Sequence, residues 1–300
     1  MKKKEWVAYN YCIGFIDLLG QREEYKDEGF LPQFASDEER KAFLQKIKRT
    51  IGPIFDLQKD ADDMMQAALS PISETKRTLP PELHDTYDKM QKTRIKRQRW
   101  SDGLVFFACL GDPDIKCPMN ALYYLFALTG SMCFLGLAKK RPIRGAIDIA
   151  WGVELHDNEL YGAAVAKAYE LESYVAQYPR IVVSDRTINY LEVYRQINDN
   201  DYYSQCNQRL AEICLNLVAQ DVDGQFFIHY LGNSFKDYIS QSQHDSLYQK
   251  AAEFIQGQCE RYRSAKGNKL SKKLSFRYSH LLSYFMAHPF MEAVDDIAKI

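Results

Sequence analysis

Residues Trp6 to Leu19 form an almost unbroken apolar and aromatic run that stops at Asp17-Leu18-Leu19-Gly20. A strand without polar alternation is buried on both faces, so this segment demands structure above and below it. The acid that closes it is costly to bury and needs a partner. The next segments supply the cover. Asp37 to Leu57 sets Phe43, Leu44, Ile47, Ile51, Ile54 and Phe55 at helical spacing behind a Ser36-x-x-Glu39 capping box, with a kink expected at Pro53. Thr93 to Leu110 starts basic and turns apolar after Ser101-Asp102-Gly103, the pattern of a β-hairpin that reverses near a second acid. Pro118 to Lys140 reads as a buried helix, Pro142 to Val153 as a strand, Gly162 to Tyr174 as an amphipathic helix and Ile181-Val182-Val183 as a short strand. The order βα…ββαβ…αβ predicts an α/β (α+β) fold, a mixed sheet with helices packed on it in the ferredoxin-like manner.

Beyond Thr187 the chain turns helical and aromatic. One more strand is expected over Gln225 to Tyr230, after a turn at Asp221-Val222-Asp223-Gly224, and two helices, around Ser242 to Arg263 and Ser271 to Ala287, follow it. Ser70 to Pro81 reads as a mobile loop, and Lys266, Lys269, Lys272 and Lys273 as a solvated helix entry. With 39 Lys+Arg against 40 Asp+Glu, the formal charge is -1, which argues against nucleic acid or an anionic membrane as partner. The weakly charged stretch from Cys117 to Ala138 is diluted by Pro118, Asn120, Thr129 and Ser131, so it is expected to be buried rather than to span a membrane. Seven Cys without a CxxC suit buried thiols in a reducing cytoplasm, and the polar start at Met1-Lys2-Lys3-Lys4-Glu5 gives no targeting segment.

Asp17 and Asp102 both close apolar segments. If neighbouring strands bring them together, their repulsion and desolvation demand a cation, and Mg²⁺ or Mn²⁺ suits carboxylates, carbonyls and phosphate oxygens. A pair of such ions about 3.5–4 Å apart serves phosphoryl chemistry. The alternative is that each acid only caps a turn. The residues Leu19, Gly20, Gln21 and Arg22 form a strand-to-helix turn whose backbone N–H groups could cradle a triphosphate. The basic run Lys92, Arg94, Lys96, Arg97 and Arg99 could add counter-charge or be a solvated ribbon. His84, His156, His229, His244, His280 and His288 are scattered without ligand spacing, so a histidine metal site is not expected.

Five segments in order carry a resemblance: Phe15-Ile16-Asp17-Leu18-Leu19-Gly20; Trp100-Ser101-Asp102; Ile143-Arg144-Gly145-Ala146-Ile147 with Gly152; Tyr161-Gly162-Ala163-Ala164-Val165 with Ala168 and Leu171-Glu172; and Ile181-Val182-Val183-Ser184. Over roughly the first two-thirds of the chain they resemble class III nucleotide cyclases. The resemblance implies a catalytic domain over residues 1–188 with an insertion over about 30–90, and a mostly helical extension over 189–300. It also implies a head-to-tail homodimer and two divalent metal ions, Mn²⁺ or Mg²⁺, held by Asp17, Asp102 and the Leu18 carbonyl. Gln98 and Glu159 fall where such enzymes place base-reading residues.

One pair departs from the family pattern. Where it has an Asn and an Arg on the helix after the glycine, this chain has Ala166 and Glu170, neither of which can donate a charge-assisted hydrogen bond to a phosphate. Another cation must then serve, Arg97, Arg99, Arg22 and Lys167 being available, or the protein is inactive. The altered pattern is most similar to the bacterial pyrimidine cyclases of the Pycsar anti-phage systems. That resemblance implies UTP or CTP as substrate, cyclic UMP or cyclic CMP as product, and a separately encoded effector that the product activates. Gln98 with Arg97 and Arg99 would then read the pyrimidine edge. The competing expectations are a catalytically inactive nucleotide-binding protein, a purine nucleotide cyclase and a polymerase-like enzyme.

Overall fold

The computed structural model describes residues 6–21, 29–69, 80–90, 94–156, 158–236, 241–264 and 269–289. Most of the loop expected over Ser70 to Pro81 lies outside these residues, as do Arg22, Lys92, Asp157 and Lys266. The opening run is strand β1 (Tyr9–Leu18), buried from Tyr11 to Ile16. It has cover on both sides. Helix α1 (Asp37–Leu69) follows, then a short α2 (His84–Met90), the hairpin β2 (Lys96–Trp100) and β3 (Gly103–Cys109), helix α3 (Pro118–Ala138) and the long strand β4 (Ile143–His156). Half of the expected capping box forms at the start of α1: the Glu39 N–H donates to Ser36 Oγ at 3.2 Å, while Glu39 Oε2 reaches one residue further back and accepts from Ala35 N–H at 2.8 Å. The helix continues through Pro53 and runs twelve residues past the expected end at Leu57.

In the sheet, the first four strands lie in the order β2-β3-β1-β4 with every neighbour antiparallel. Connected as β1-α1-β2-β3-α3-β4, this is the split βαβ arrangement of a ferredoxin-like core, as the order of segments predicts. Strand β5 (Glu159–Tyr161) pairs back on β4, helix α4 (Ala163–Tyr174) crosses over, and β6 (Ile181–Val183) lies parallel to β4. After α5 (Asp185–Arg195) and α6 (Tyr202–Asn216), strands β7 (Val218–Gln220) and β8 (Phe226–Ile228) extend the same sheet from β6. The segment after residue 188 is therefore not only helical. Its short α7 (Asn233–Lys236) and long α8 (Gln241–Ser264) and α9 (Lys269–Ala287) complete the described chain.

The two faces of β1 meet different partners. Cys12, Ile16 and Leu18 join Leu57 and Ala61 of α1, most of α3, and Ile255 and Phe285 of α8 and α9 in one apolar core. Tyr11, Ile13 and Phe15 join Val105, Phe107, Leu160 and Ala164, Val165 and Ala168 of α4 in a second. Helix α3 lies between the sheet and α6 and α8, which explains why it is apolar all round. It is the one helix among the described residues long and apolar enough to cross a membrane, and it is mostly buried in the protein. Five of the seven cysteines are buried, and burial pushes the Cys12 and Cys117 thiols up to about 12.

Candidate active site

Strand register decides whether the two acids can cooperate. Asp17 pairs with Gly103 across the β1–β3 ladder, and Asp102 is the residue before Gly103. Strand spacing then puts the two Cα atoms roughly 6–7 Å apart. The approach is close enough to exclude a side chain: a Cβ on Gly103 would lie 2.5 Å from the Ile16 carbonyl oxygen and 3.4 Å from Asp17 Oδ1. Ser101, with φ of 55°, and Asp102 form the two-residue turn, the loop length that favours positive φ. The β1–β3 ladder ends at the Asp17–Gly103 pair, so Leu18 has no partner on β3.

A cation already stands beside the first acid. Arg144 on β4 pairs in register with Asp17, and its Nη2 lies 3.8 Å from Asp17 Oδ2. Arg144 Nε makes an ion pair with Glu172 Oε1 of α4, a carboxylate whose side chain is 2% exposed. The Ser173 hydroxyl donates to the other Glu172 oxygen at 2.8 Å. Arg277 on α9 completes the surroundings. Burial and the neighbouring charge of Arg144 hold its guanidinium below its ordinary value, and it donates to Gln177 Oε1 at 3.0 Å. Asp17 and Glu172 thus share Arg144, and Arg277 lies close enough to feel its charge. The ligands expected from the sequence, Asp17, Asp102 and the Leu18 carbonyl, offer only oxygen donors. Such a set suits a hard divalent cation, which these residues would hold. Among the described residues no cluster of three or more His, Cys, Asp or Glu forms a metal site by itself.

The phosphate cradle expected at Leu19 to Arg22 needs correction at its first residue. The Leu19 N–H donates to the Pro142 carbonyl at 2.9 Å and is not free. Gly20 keeps an open left-handed conformation (φ 94°), Gln21 is half-buried, and Arg22 lies outside the described residues.

The expected base readers divide by face. Gln98 pairs with Val105, whereas the pleat turns Arg97 and Arg99 to the opposite side of β2. Arg97 is held by Asp62 and the Gln58 carbonyl of α1, and Arg99 is exposed. The structure does not bring these two arginines to the Asp17 face. It does bring Gln98 and Glu159 toward each other: Gln98 Oε1 accepts the Leu160 N–H at 3.1 Å, and Glu159 is the exposed residue beside it. On α4, Ala166 is exposed and Glu170 pairs with Lys167 at 3.2 Å, so Lys167 is engaged at the surface.

Arg144, Glu172 and Arg277 are the site residues that sequence reasoning did not assign. The available signal was an arginine inside the apolar strand Ile143 to Ile147. An isolated charge there requires a buried counter-charge, but its identity depends on how α4 crosses the sheet.

No protein-family model matches the chain, and no curated protein matches it. Among solved structures, the chain is similar to the crystal structure of the adenylyl cyclase CyaB from P. aeruginosa, with 14% identity, 63% of this chain and 83% of that chain covered, and a TM-score of 0.39. At that degree of likeness the chemistry of this chain is read from its own acids and their partners.

Proposed function

We propose that the protein is a metal-dependent nucleotidyl cyclase that converts a pyrimidine nucleoside triphosphate, UTP or CTP, to its 3′,5′-cyclic monophosphate and pyrophosphate. The observation that carries this is the register of Asp17 against Gly103, which sets Asp17 and Asp102 side by side at one end of the central strands. Asp17, Asp102 and the Leu18 carbonyl would hold Mn²⁺ or Mg²⁺. Such ions, when bound, acidify a ribose hydroxyl and neutralise phosphate charge.

The protein's own groups would do the rest. Arg144, fixed by buried Glu172, presents its guanidinium beside Asp17, where the negative charge of a triphosphate would gather. Arg277 adds a second cation from α9. These two replace the Asn and Arg that α4 lacks. Gln98 keeps its amide N–H₂ for a base carbonyl while its oxygen is tied to Leu160.

Trp100, Trp151, Tyr161, Tyr169 and Tyr174 are exposed, an aromatic set that suits contact with a second copy of the chain. The cyclic product would serve as a cytoplasmic messenger to a separate effector in bacterial anti-phage defence. A silent nucleotide-binding protein is the second reading, favoured by the Arg144 guanidinium already placed 3.8 Å from Asp17.

Incubation with each of UTP, CTP, ATP and GTP and Mn²⁺, followed by chromatography, separates the two. The cyclase should form a cyclic pyrimidine product, and Asp17→Asn or Asp102→Asn should cut turnover roughly a hundredfold or more with an unchanged circular dichroism spectrum. Undiminished turnover in either variant rules out the acid-pair mechanism. A purine product rules out the pyrimidine assignment alone, and nucleotide binding without product leaves the silent protein.

A further inference from the structure

A cavity of about 360 Å³ opens between the β7–β8 hairpin and α9, and none of its lining residues belongs to the acid-pair site. The fold gathers here three of the histidines that look scattered in the sequence. Its walls are aromatic: Tyr178, Phe227, His229, Tyr284 and His288. Ring centroids are 5.5 Å apart for Phe227 and Tyr284 and 4.6 Å for His229 and His288. The volume lies within the range of small-molecule sites, about 300–1,000 Å³.

The charged groups in the wall are already committed to one another. Arg180 Nη1 donates to Asp221 at 2.6 Å, while its Nη2 donates to Asp223 at 2.6 Å and to the Val175 carbonyl at 3.0 Å. His280 Nε2 lies 3.0 Å from Asp221 Oδ1. A phosphate entering the cavity would therefore find no uncompensated cation in its lining.

The hydrogen-bonding groups left over are imidazoles. The Tyr284 hydroxyl oxygen accepts the Leu231 N–H at 3.2 Å and lies 2.8 Å from His229 Nδ1. Assigning the hydroxyl as donor to Nδ1 places the proton of a neutral His229 on Nε2. Burial lowers the pKa of both His229 and His288, so both rings are neutral near pH 7. Neither His229 Nε2 nor the His288 ring nitrogens have a hydrogen-bond partner among the described residues.

We propose that this cavity binds an uncharged heteroaromatic ring of nucleobase or nucleoside size, packed against the aromatic wall that Tyr284, His229 and His288 form together and hydrogen-bonded to His229 Nε2–H. The site stands whether or not the acid pair is catalytic.

The test is calorimetric titration and saturation-transfer NMR of the full chain with adenosine, cytidine and uridine, each beside its 5′-monophosphate. At least one nucleoside should bind with one-to-one stoichiometry, and more tightly than its monophosphate. His229→Phe, which keeps a ring and removes the donor, and His288→Ala, at the end of α9, should each weaken binding about tenfold. Gln98→Ala, which removes the group expected to meet the base at the acid-pair site, should leave this binding unchanged. No binding at millimolar nucleoside, binding indifferent to both histidine variants, or binding abolished by Gln98→Ala would each overturn the proposal. The last outcome would move the nucleoside to the acid-pair site.

Discussion

His229 is a half-buried imidazole with little reason to take up a proton. Desolvation, with the charges of His288 and Lys236 alongside, lowers its pKa to about 4. The folded value thus lies below the ordinary one near 6.5, so between these limits the unfolded chain binds a proton that the native chain does not. Stability should therefore fall as pH drops through that window, by on the order of 2–3 kcal/mol for this group, and be indifferent to it above pH 7. His288 is shifted the same way and adds to the slope. Urea unfolding at pH 7, 6, 5 and 4.5 should show the decline, and His229→Gln should flatten it. An equal slope in the variant would assign the acid sensitivity to other groups. That Asp17 and Asp102 close neighbouring strands was legible from sequence, because an acid at the end of an apolar run is conspicuous. His229 was not, because its surroundings come from Tyr284 and His288, more than fifty residues further on.

The β7–β8 hairpin shows what a sequence signal leaves out. Asp221-Val222-Asp223-Gly224 reads as a turn, and it is one: the Asp221 N–H donates to the Gln225 carbonyl at 2.9 Å, and Gly224 takes φ of 79°. The two acids also clamp Arg180, which is 1% exposed, an ion cluster that no local pattern announces. Asp221→Ala would leave Arg180 with Asp223 and the Val175 carbonyl but without its most buried counter-charge, and should cost about 1–3 kcal/mol in chemical unfolding. The paired replacement Arg180→Met with Asp221→Leu should cost far less, and a double variant as unstable as the single would refute the clamp. Strand β7 itself escaped notice because Val218–Gln220 is only three residues long, and α2 because His84–Met90 lacks an apolar stripe. The elements with a sustained period or a capping signal, β1, α1, the β2–β3 hairpin and α4, were legible. Their boundaries moved where polar sequence continued a helix, as in residues 58–69 of α1.

At the scale of the whole molecule, the sheet and the core are continuous across the expected boundary at residue 188. Strand β8 pairs with β6, and a single apolar cluster runs from Cys12 on β1 to Phe285 on α9. Helix α9 also reaches both regions: it carries Arg277 near Arg144 and forms one wall of the cavity. A segment built into both layers should not unfold alone. The three tryptophans, Trp6, Trp100 and Trp151, all lie before the expected boundary at residue 188, so their emission reports on that part of the chain. Phe285 is 1% exposed, packs on Tyr230 and Tyr248, and accepts the Tyr248 hydroxyl through its carbonyl at 2.6 Å. Phe285→Ala removes the ring and should destabilise the protein by about 3–5 kcal/mol. If the chain unfolds as one unit, that loss appears in full in tryptophan emission, more than a hundred residues away in sequence, with the same urea midpoint as helical circular dichroism. Emission unchanged from wild type while circular dichroism shifts would show instead that the helices of the C-terminal segment melt independently of the strands that carry the acids.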